Sequence, residues 1–392
     1  MNFDIWSFEK KPLPEILFFI VDNRGKTVPT TENGHILIAT NCIKNENLYP
    51  SYEKIRYLSE ETYQNWFRAH PKPGDILFVC KGTPGRVCMV PDPIDFCIAQ
   101  DMVALRANEA IVYNKYLLAV LRSARIQKQI EQTSVGDVIP HFKKSFFNQL
   151  LIPIPPMQIQ RIIGDYYFVF SEKVEINNKI NGNLQQQAAA LFSSLYDRSN
   201  TEVRFTDLIQ ILGGGTPKTG ENTYWNGNIA FFTPKDVGTP YTLITEKTIS
   251  KEGLSHCNSR LYPVNTVFVT ARGTVGKVGM SGVPMAMNQS CYALVGKETH
   301  QLLVYFYTLK AVDRLKHKAS GAVFDAITTR DFESEQIMKL SDDAATAFLR
   351  VAEPMFQEVL NNNIENLRLS TLRDSLLPKL MSGEIDVSAV QL

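Results

Sequence analysis

The heptapeptide KGTPGRV at residues 81–87 has a close counterpart later in the same chain, RGTVGKV at residues 272–278. In both, cations flank a Gly-Thr-x-Gly turn. Each heptapeptide follows a proline and an apolar run rich in strand-forming residues, PGDILFVC from Pro73 and PVNTVFVT from Pro263. Such a run followed by glycines predicts a strand that enters a tight turn. The chain therefore contains the same strand-and-turn unit twice.

The similarity extends well beyond the heptapeptides. The aligned pairs are AQDMVAL (99–105) with NQSCYAL (288–294), GDVI (136–139) with FDAI (324–327), and HILIATN (35–41) with NIAFFTP (228–234). The last pair places Thr40 opposite Thr233. We interpret the chain as a tandem duplication of one mixed α/β globule.

A different kind of segment follows each copy. Residues 155–198 predict one long helix, because Pro156 suits a first helical turn and apolar residues recur at three- and four-residue steps. The first stripe comprises Ile159, Ile163, Tyr166, Phe170, Ile180, Leu184 and Leu191, interrupted by Lys173 and Asn177. The second comprises Phe348, Ala352, Phe356, Val359, Asn363 and Leu367. We expect Pro354 to kink or start the second helix and Pro378 to break it near its end.

Two narrow apolar stripes each need a partner, and each helix carries an asparagine cluster, at 177–178 and 361–363. Polar residues in such a seam are used to fix register. We therefore predict an antiparallel coiled coil that brings the clusters together. Asparagines that face solvent are an equally weighted alternative.

The predicted fold class is α+β: two tandem mixed α/β domains, each followed by a long helix. The predicted segments are a first globular domain at 1–154, a linker helix at 155–198, a second globular domain at 199–341, and a second helix with the C-terminal tail at 342–392.

Composition narrows the class of protein. A chain of 392 residues with 44% hydrophobic and 21% charged residues is typical of a globular protein, and no apolar run reaches membrane-spanning length. The start of the chain does not resemble a signal peptide, so we expect a cytoplasmic protein. Six cysteines without a CxxC pair indicate buried thiols rather than a zinc site or disulfides.

The net charge of +1 gives no overall sign of nucleic-acid binding, so a basic surface would have to be local. Two local clusters exist, and we interpret both as solvent-exposed helix faces. They comprise Arg122, Arg125, Lys128, Lys143 and Lys144 in the first half, and Lys310, Arg314, Lys316, His317 and Lys318 in the second.

Five segments together resemble the specificity subunit of type I restriction-modification enzymes, over nearly the whole chain. They are GGGTPKTGENTYWNGNIAFFTPKDV (213–237), RGTVGKV, NQSCYAL, IPIPPMQIQRI and LRDSLLPKLMSGEI. The resemblance implies that the globules are target-recognition domains, each binding one half of a bipartite double-stranded DNA target. It also implies a non-catalytic subunit without a cofactor, whose helices dock methyltransferase subunits, expected to number two. The restriction nuclease/translocase subunit is a further candidate partner.

The paired heptapeptides supply the first candidate DNA contacts. Lys81, Arg86, Arg272 and Lys277 can neutralise phosphates or reach base edges, while the glycines allow the backbone to approach closely. The alternative is that each motif forms a conformationally demanding hairpin, and that its cations are exposed without contacting DNA.

Short polar residues at strand ends supply the second group of candidates, Thr40, Asn41, Thr233 and Lys235. Side chains of this kind suit base edges. They could equally be turn formers.

Other functions find less support in the residues. A DNA amino-methyltransferase needs an (Asp/Asn)-Pro-Pro-aromatic loop, and DPID at 92–95 lacks both the second proline and the aromatic residue. GGGTPKT is not a phosphate-binding loop, because Pro217 stands where glycine is required. We assign no catalytic or metal-binding residue. A stand-alone DNA-modifying enzyme and a protein-interaction scaffold remain as alternatives.

Overall fold

The structure is a computed structural model that describes residues 4–23, 25–136, 138–238, 240–318 and 326–385. The chain divides into two compact units. The first comprises residues up to Ile176 together with those from Asn366 onward, and the second comprises Asn177–Glu365. Part of the aligned FDAI segment and the end of the C-terminal tail lie outside the described residues.

Within its described residues, the first unit contains nine strands and the first four α-helices. The strands are β1 (Lys10–Pro12), β2 (Leu17–Asp22), β3 (His35–Ile38), β4 (Arg56–Leu58), β5 (Ile76–Val79), β6 (Val87–Met89), β7 (Phe96–Ile98), β8 (Met102–Ala107) and β9 (Leu151–Pro153). The helices are α1 (Glu60–Asn65), α2 (Asn114–Arg122), α3 (Ala124–Thr133) and α4 (Met157–Tyr196), the last of which continues into the second unit.

Three small sheets organise the first unit. Strands β2-β8-β5-β6 form an antiparallel sheet, β4-β3-β7 form a second in which β3 and β7 run parallel, and β1 pairs with β9. All four residues of β5 are buried, as expected for an apolar run in a central strand. Its Phe78 packs in an aromatic core with Phe142 and Phe147.

In the part of the second unit that the structure describes, there are ten strands and the remaining α-helices. The strands are β10 (Thr201–Arg204), β11 (Ile209–Gly213), β12 (Trp225–Phe232), β13 (Tyr241–Thr242), β14 (Lys247–Ile249), β15 (Val267–Thr270), β16 (Val278–Ser281), β17 (Met285–Met287), β18 (Cys291–Gly296) and β19 (Gln336–Lys339). The helices are α5 (Phe205–Leu208), α6 (Lys251–Ser255), α7 (Gln301–Lys318), α8 (Thr329–Ser334) and α9 (Asp342–Ser382), the last of which continues into the first unit.

The sheets of the second unit repeat those of the first. The strand order β11-β18-β15-β16-β13 reproduces β2-β8-β5-β6 with one added strand, and β14-β12-β17 reproduces β4-β3-β7, including its parallel pair. The β10–β19 pair corresponds to β1–β9. Because both the order and the direction of the strands recur, the α+β prediction of two tandem domains is confirmed.

Helices α4 and α9 pair in antiparallel fashion within each unit. In the first unit, Ile163 and Tyr167 share a core with Leu377 and Leu380, and Arg373 donates to the Ser171 hydroxyl at 3.3 Å. In the second unit, Phe192 packs edge-on against Phe348 at 5.4 Å between ring centroids.

Buried asparagines of the two helices meet in the second unit, which favours the coiled-coil prediction over solvent-facing asparagines, although the residue that contacts Asn362 and Asn363 is Asn181, outside the predicted 177–178 cluster. The Asn181 Oδ1 atom accepts a hydrogen bond from Asn362, and its Nδ2 donates to Asn363, both at 2.9 Å. Asn177 donates to Glu365 at 2.7 Å. Asn177, Asn181 and Asn362 are buried. Polar residues therefore occupy the seam itself.

The predicted ends and stripe of these helices need correction. Pro378 does not break α9, which continues to Ser382, and Pro354 lies well inside it rather than starting it. Both prolines are exposed, so their rings meet solvent rather than a neighbouring element. In α4, Ile180 is 39% exposed, while Ala188 and Phe192 are buried. The stripe was misplaced because the apolar period selects Ile180, whereas its neighbour Asn181 occupies the buried position.

Candidate nucleic-acid interface

The first heptapeptide forms the connection between β5 and β6. Gly82 and Gly85 adopt φ of +88° and +86°, a left-handed conformation that favours glycine. The Gly85 amide donates to the Val79 carbonyl at 3.0 Å, and the Val79 amide donates to the Arg86 carbonyl at 2.9 Å. These bonds close a tight hairpin with Lys81 and Arg86 exposed at its two sides.

The second heptapeptide forms the same hairpin between β15 and β16. Gly276 has φ of +73°; its amide donates to the Thr270 carbonyl at 2.9 Å, and the Thr270 amide donates to the Lys277 carbonyl at 3.0 Å. Arg272 and Lys277 are exposed. The repeat in sequence is therefore a repeat in backbone geometry.

A helix supports each hairpin from behind. The Gln127 side chain on α3 donates to the Gly85 carbonyl at 2.9 Å, and the Lys316 ammonium on α7 donates to the Gly276 carbonyl at 2.8 Å. A Cβ atom at Gly276 would approach the Lys316 Cε atom to 2.6 Å. The hairpins are thus held by regular structure, as a recognition loop requires.

The four hairpin cations form no salt bridge within the described ranges. The basic clusters on the helices behave differently. Arg122 is half-buried and donates to the Val87 and Asn47 carbonyls, so for this residue the solvent-exposed interpretation is wrong. Arg314 and Lys318 pair with the buried Glu335. The hairpins therefore carry exposed charge that can meet a ligand, and so do the exposed Arg125, Lys128 and Lys143 of the first cluster.

The strand-end candidates of the second unit lie beside its hairpin. The Thr233 amide and hydroxyl both donate to one oxygen of Asp236, at 2.8 and 2.6 Å, which closes a turn after β12. The Thr274 hydroxyl donates to the Pro234 carbonyl at 3.3 Å and joins this turn to the hairpin. Lys235 is exposed in a 3.6 Å ion pair with Glu246. Thr233 thus acts as a turn former, while Lys235 keeps an exposed charge.

In the first unit, Thr40 opens a short 3₁₀ turn, Thr40–Cys42, directly after β3. The Asn41 side chain donates to the Glu53 carbonyl, so its amide supports the loop. The turn between β7 and β8 connects this region to the hairpin: the Ala99 amide donates to the Ile38 carbonyl at 3.0 Å, and the Asp101 carbonyl accepts the Cys80 and Lys81 amides.

Two glutamines in this region were missed by the sequence-based assignment. Gln100 occupies the turn before β8, and Gln289 occupies the equivalent turn before β18. The Ser290 carbonyl accepts the Ala271 and Arg272 amides, as the Asp101 carbonyl accepts those of Cys80 and Lys81. The signal was present in the aligned strings AQD and NQS, which keep glutamine at the same place in both copies.

The duplication is also found when the chain is compared with known proteins. The family model described as the type I restriction modification DNA specificity domain matches the chain twice, over residues 8–186 and 198–339. The chain belongs to this DNA specificity family. Each match contains one of the two hairpins.

Individual relatives agree with the family assignment. The chain is 23% identical to the HindI specificity subunit of Haemophilus influenzae, covering 80% of this chain and 87% of the relative. It is 29% identical to the MjaIX specificity subunit of Methanocaldococcus jannaschii, covering 82% and 79%. The crystal structure of a type I restriction-modification S subunit from M. genitalium is similar in fold, with a TM-score of 0.58 at 16% identity, covering 95% of this chain and 96% of the other.

The buried cysteines of this member of the specificity family have altered acidity. Burial raises the pKa of the Cys80, Cys97 and Cys291 thiols to about 12 in each case, which disfavours the reactive thiolate. Among the described residues, no group of three or more His, Cys, Asp or Glu side chains is placed to hold a metal ion. In the same part of the chain, no helix is both long and apolar enough to cross a membrane.

Proposed function

We propose that the chain is the non-catalytic DNA-reading subunit of a type I restriction-modification complex. Each unit binds one half of a bipartite double-stranded target. The long helices dock methyltransferase subunits, two per chain, and the nuclease/translocase subunit joins where the host makes one. Because host DNA is the substrate of such a complex, the cytoplasm is the proposed compartment.

The observation that carries this proposal is the pair of equivalent hairpins, each on a unit with the same sheet order. One DNA-binding surface needs one such hairpin, whereas a target in two halves needs two readers. Duplication supplies both within one chain. The exposed cations Lys81, Arg86, Arg272 and Lys277 suit a polyanion, since phosphates provide most of the affinity in protein–DNA complexes.

The two groups of candidate residues have different proposed roles. The hairpin cations and Lys235 contact phosphates and fix the position of each unit on the duplex. Thr40, Asn41 and Thr233 lie in loops beside the hairpins, and their engagement in turns favours a role in shaping those loops.

The helices provide a surface of a different kind for the methyltransferase subunits. Helix α4 has 40 residues and α9 has 41, and both carry exposed apolar side chains beside their buried stripes. Among these are Val169 and Ile176 on α4 and Val351 and Leu372 on α9. An apolar helix face with polar surroundings is typical of protein-protein contacts.

Incubation of the purified chain with S-adenosylmethionine and host DNA tests the non-catalytic assignment. We expect no methyl transfer by the chain alone and sequence-specific transfer once the methyltransferase subunit is added. Methylation by the isolated chain, free of copurifying subunits, contradicts the proposal.

Affinity capture of the chain from its native host tests the partner assignment. A methyltransferase subunit should be recovered in stoichiometric amount. Recovery of unrelated proteins, with no DNA binding by the captured complex, favours an interaction scaffold instead.

A further inference from the structure

Gln100 and Gln289 occupy equivalent turns, each one residue before the carbonyl that fixes a hairpin. In the first unit the Asp101 carbonyl accepts the Lys81 amide at 3.3 Å, and in the second the Ser290 carbonyl accepts the Arg272 amide at 3.3 Å. Each glutamine is therefore close in the backbone to an exposed cation that suits a DNA phosphate.

The Gln100 carboxamide is not explained by internal structure. Its Oε1 atom is buried and has no hydrogen-bond partner among the described residues, although the side chain as a whole is partly exposed. A buried amide oxygen without a partner lowers stability. Internal structure therefore gives this oxygen no partner, and a ligand that the partly exposed side chain reaches by rotation would supply one.

Gln289 lies in the turn equivalent to that of Gln100, but its surroundings are different. The residue is exposed, and its Oε1 atom accepts a hydrogen bond from the Thr216 hydroxyl. Thr216 lies between β11 and β12, so the bond orients the carboxamide from a neighbouring loop. Neither glutamine lies in a regular element. Turning towards a ligand breaks no bond at the Gln100 Oε1 atom and one bond, from Thr216, at the Gln289 Oε1 atom.

We infer that Gln100 and Gln289 each read one adenine in the major groove, one in each half of the target. This inference rests on the proposed function. A carboxamide donates to N7 and accepts from the N6 amino group of adenine, a pairing that no other base matches in the major groove. The adjacent Lys81 and Arg272 hold phosphates and carry no sequence information, while the glutamines supply it.

Methylation mapping of the reconstituted complex with Gln100→Ala or Gln289→Ala tests the inference. Each variant should lose roughly 5- to 150-fold of its discrimination at a single A·T position, because one bidentate pair contributes that much. Gln100→Ala should relax one half-site and Gln289→Ala the other. The dependence of binding on salt should stay unchanged, since no phosphate contact is removed.

Matched controls are the exposed glutamines Gln132 on α3 and Gln210 on β11. Gln132→Ala and Gln210→Ala should leave both the motif and the affinity unchanged. Gln100→Met provides a second readout, because it keeps the length of the side chain and removes the polar atoms. We expect its melting temperature to equal or exceed that of the native chain while the motif relaxes.

A full motif retained by both alanine variants overturns the inference, as does a drop in the melting temperature of Gln100→Met with the motif intact. Relaxation at a G·C position contradicts the assignment to adenine. If the native complex itself shows no sequence preference, the proposed function fails rather than this inference.

Discussion

At the scale of single residues, the exposed cations of the two hairpins carry the proposed phosphate contacts. Arg272→Ala with Lys277→Ala should weaken DNA binding by the assembled complex and lower its salt slope by about one to two, since each lost phosphate contact releases roughly one fewer counterion. Lys81→Ala with Arg86→Ala should have the same effect in the other unit. The measurement is the association constant over a series of salt concentrations.

A charge-matched control separates the loss of these contacts from the loss of net positive charge. Lys251 and Arg330 are exposed cations of the second unit on α6 and α8. Lys251→Ala with Arg330→Ala should leave the slope unchanged. Unchanged slopes in both hairpin double variants, with folding intact, contradict the phosphate role.

The cysteines allow a test of burial that does not depend on DNA. Cys257 is half-buried, whereas Cys42, Cys80, Cys88, Cys97 and Cys291 are buried. A thiol with a pKa of about 12 has only ~0.01% thiolate at pH 8. We expect a chromogenic disulfide reagent to label Cys257 roughly 100-fold faster than the others, with six thiols titrated after unfolding. Equal rates for Cys80 and Cys257 would show that the core of the first unit opens readily.

Sequence patterns predicted the hairpins well and the loop side chains less well. The Gly-Thr-x-Gly motif is typical of a turn whose glycines have positive φ, and φ is positive at Gly82, Gly85, Gly273 and Gly276. Whether Thr233 faces a ligand or closes a turn depends on the position of the Asp236 carboxylate, which the sequence does not give. The aligned strings AQD and NQS carry Gln100 and Gln289 at the same place, but the lack of a hydrogen-bond partner for the Gln100 Oε1 atom is visible only in three dimensions.

At the scale of helices, the buried asparagines of α4 and α9 allow a test of stability. Asn181→Ala leaves the buried Asn362 amide without its acceptor and should cost about 1–3 kcal/mol. The double variant Asn181→Leu with Asn362→Leu removes both partners of this bond and should cost much less, because the Asn363 oxygen that also loses its donor is only half-buried and can bond to water. Urea unfolding of the two variants measures the difference.

The control for this comparison is Asn183→Ala, which replaces an exposed asparagine on the same helix. It should change stability by no more than about 0.5 kcal/mol, as exposed substitutions usually do. Equal losses from Asn181→Ala and from the double leucine variant would show that the asparagine bonds are not coupled.

The helices also show where patterns in sequence stop being informative. The apolar period predicted two long helices and their antiparallel pairing, and it located Phe348, Ala352, Phe356 and Val359 on the buried face of α9. It could not predict that α9 continues through Pro354 and Pro378. Helix propensity describes only local preferences, whereas tertiary packing stabilises the helix.

At the scale of the whole molecule, the duplication was readable from sequence because the turn motifs and strands recur in order. The added strand β13 was not predicted, since Tyr241–Thr242 is too short to give a pattern. The central claim is that the two copies read separate halves of one target. It assigns one half to residues 1–154 and the other to residues 199–341.

A segment exchange tests this claim most directly. The ends of the second domain lie close together, because Thr201 pairs with Lys339 across β10 and β19. Residues 199–341 can therefore be replaced by the equivalent segment of another specificity-family protein through two adjacent junctions. The methylated motif of the reconstituted complex is then mapped across a genome. We predict a motif of two short blocks in which the exchange alters one block and leaves the other unchanged. A single continuous motif, or an exchange that alters both blocks or neither, would contradict the account.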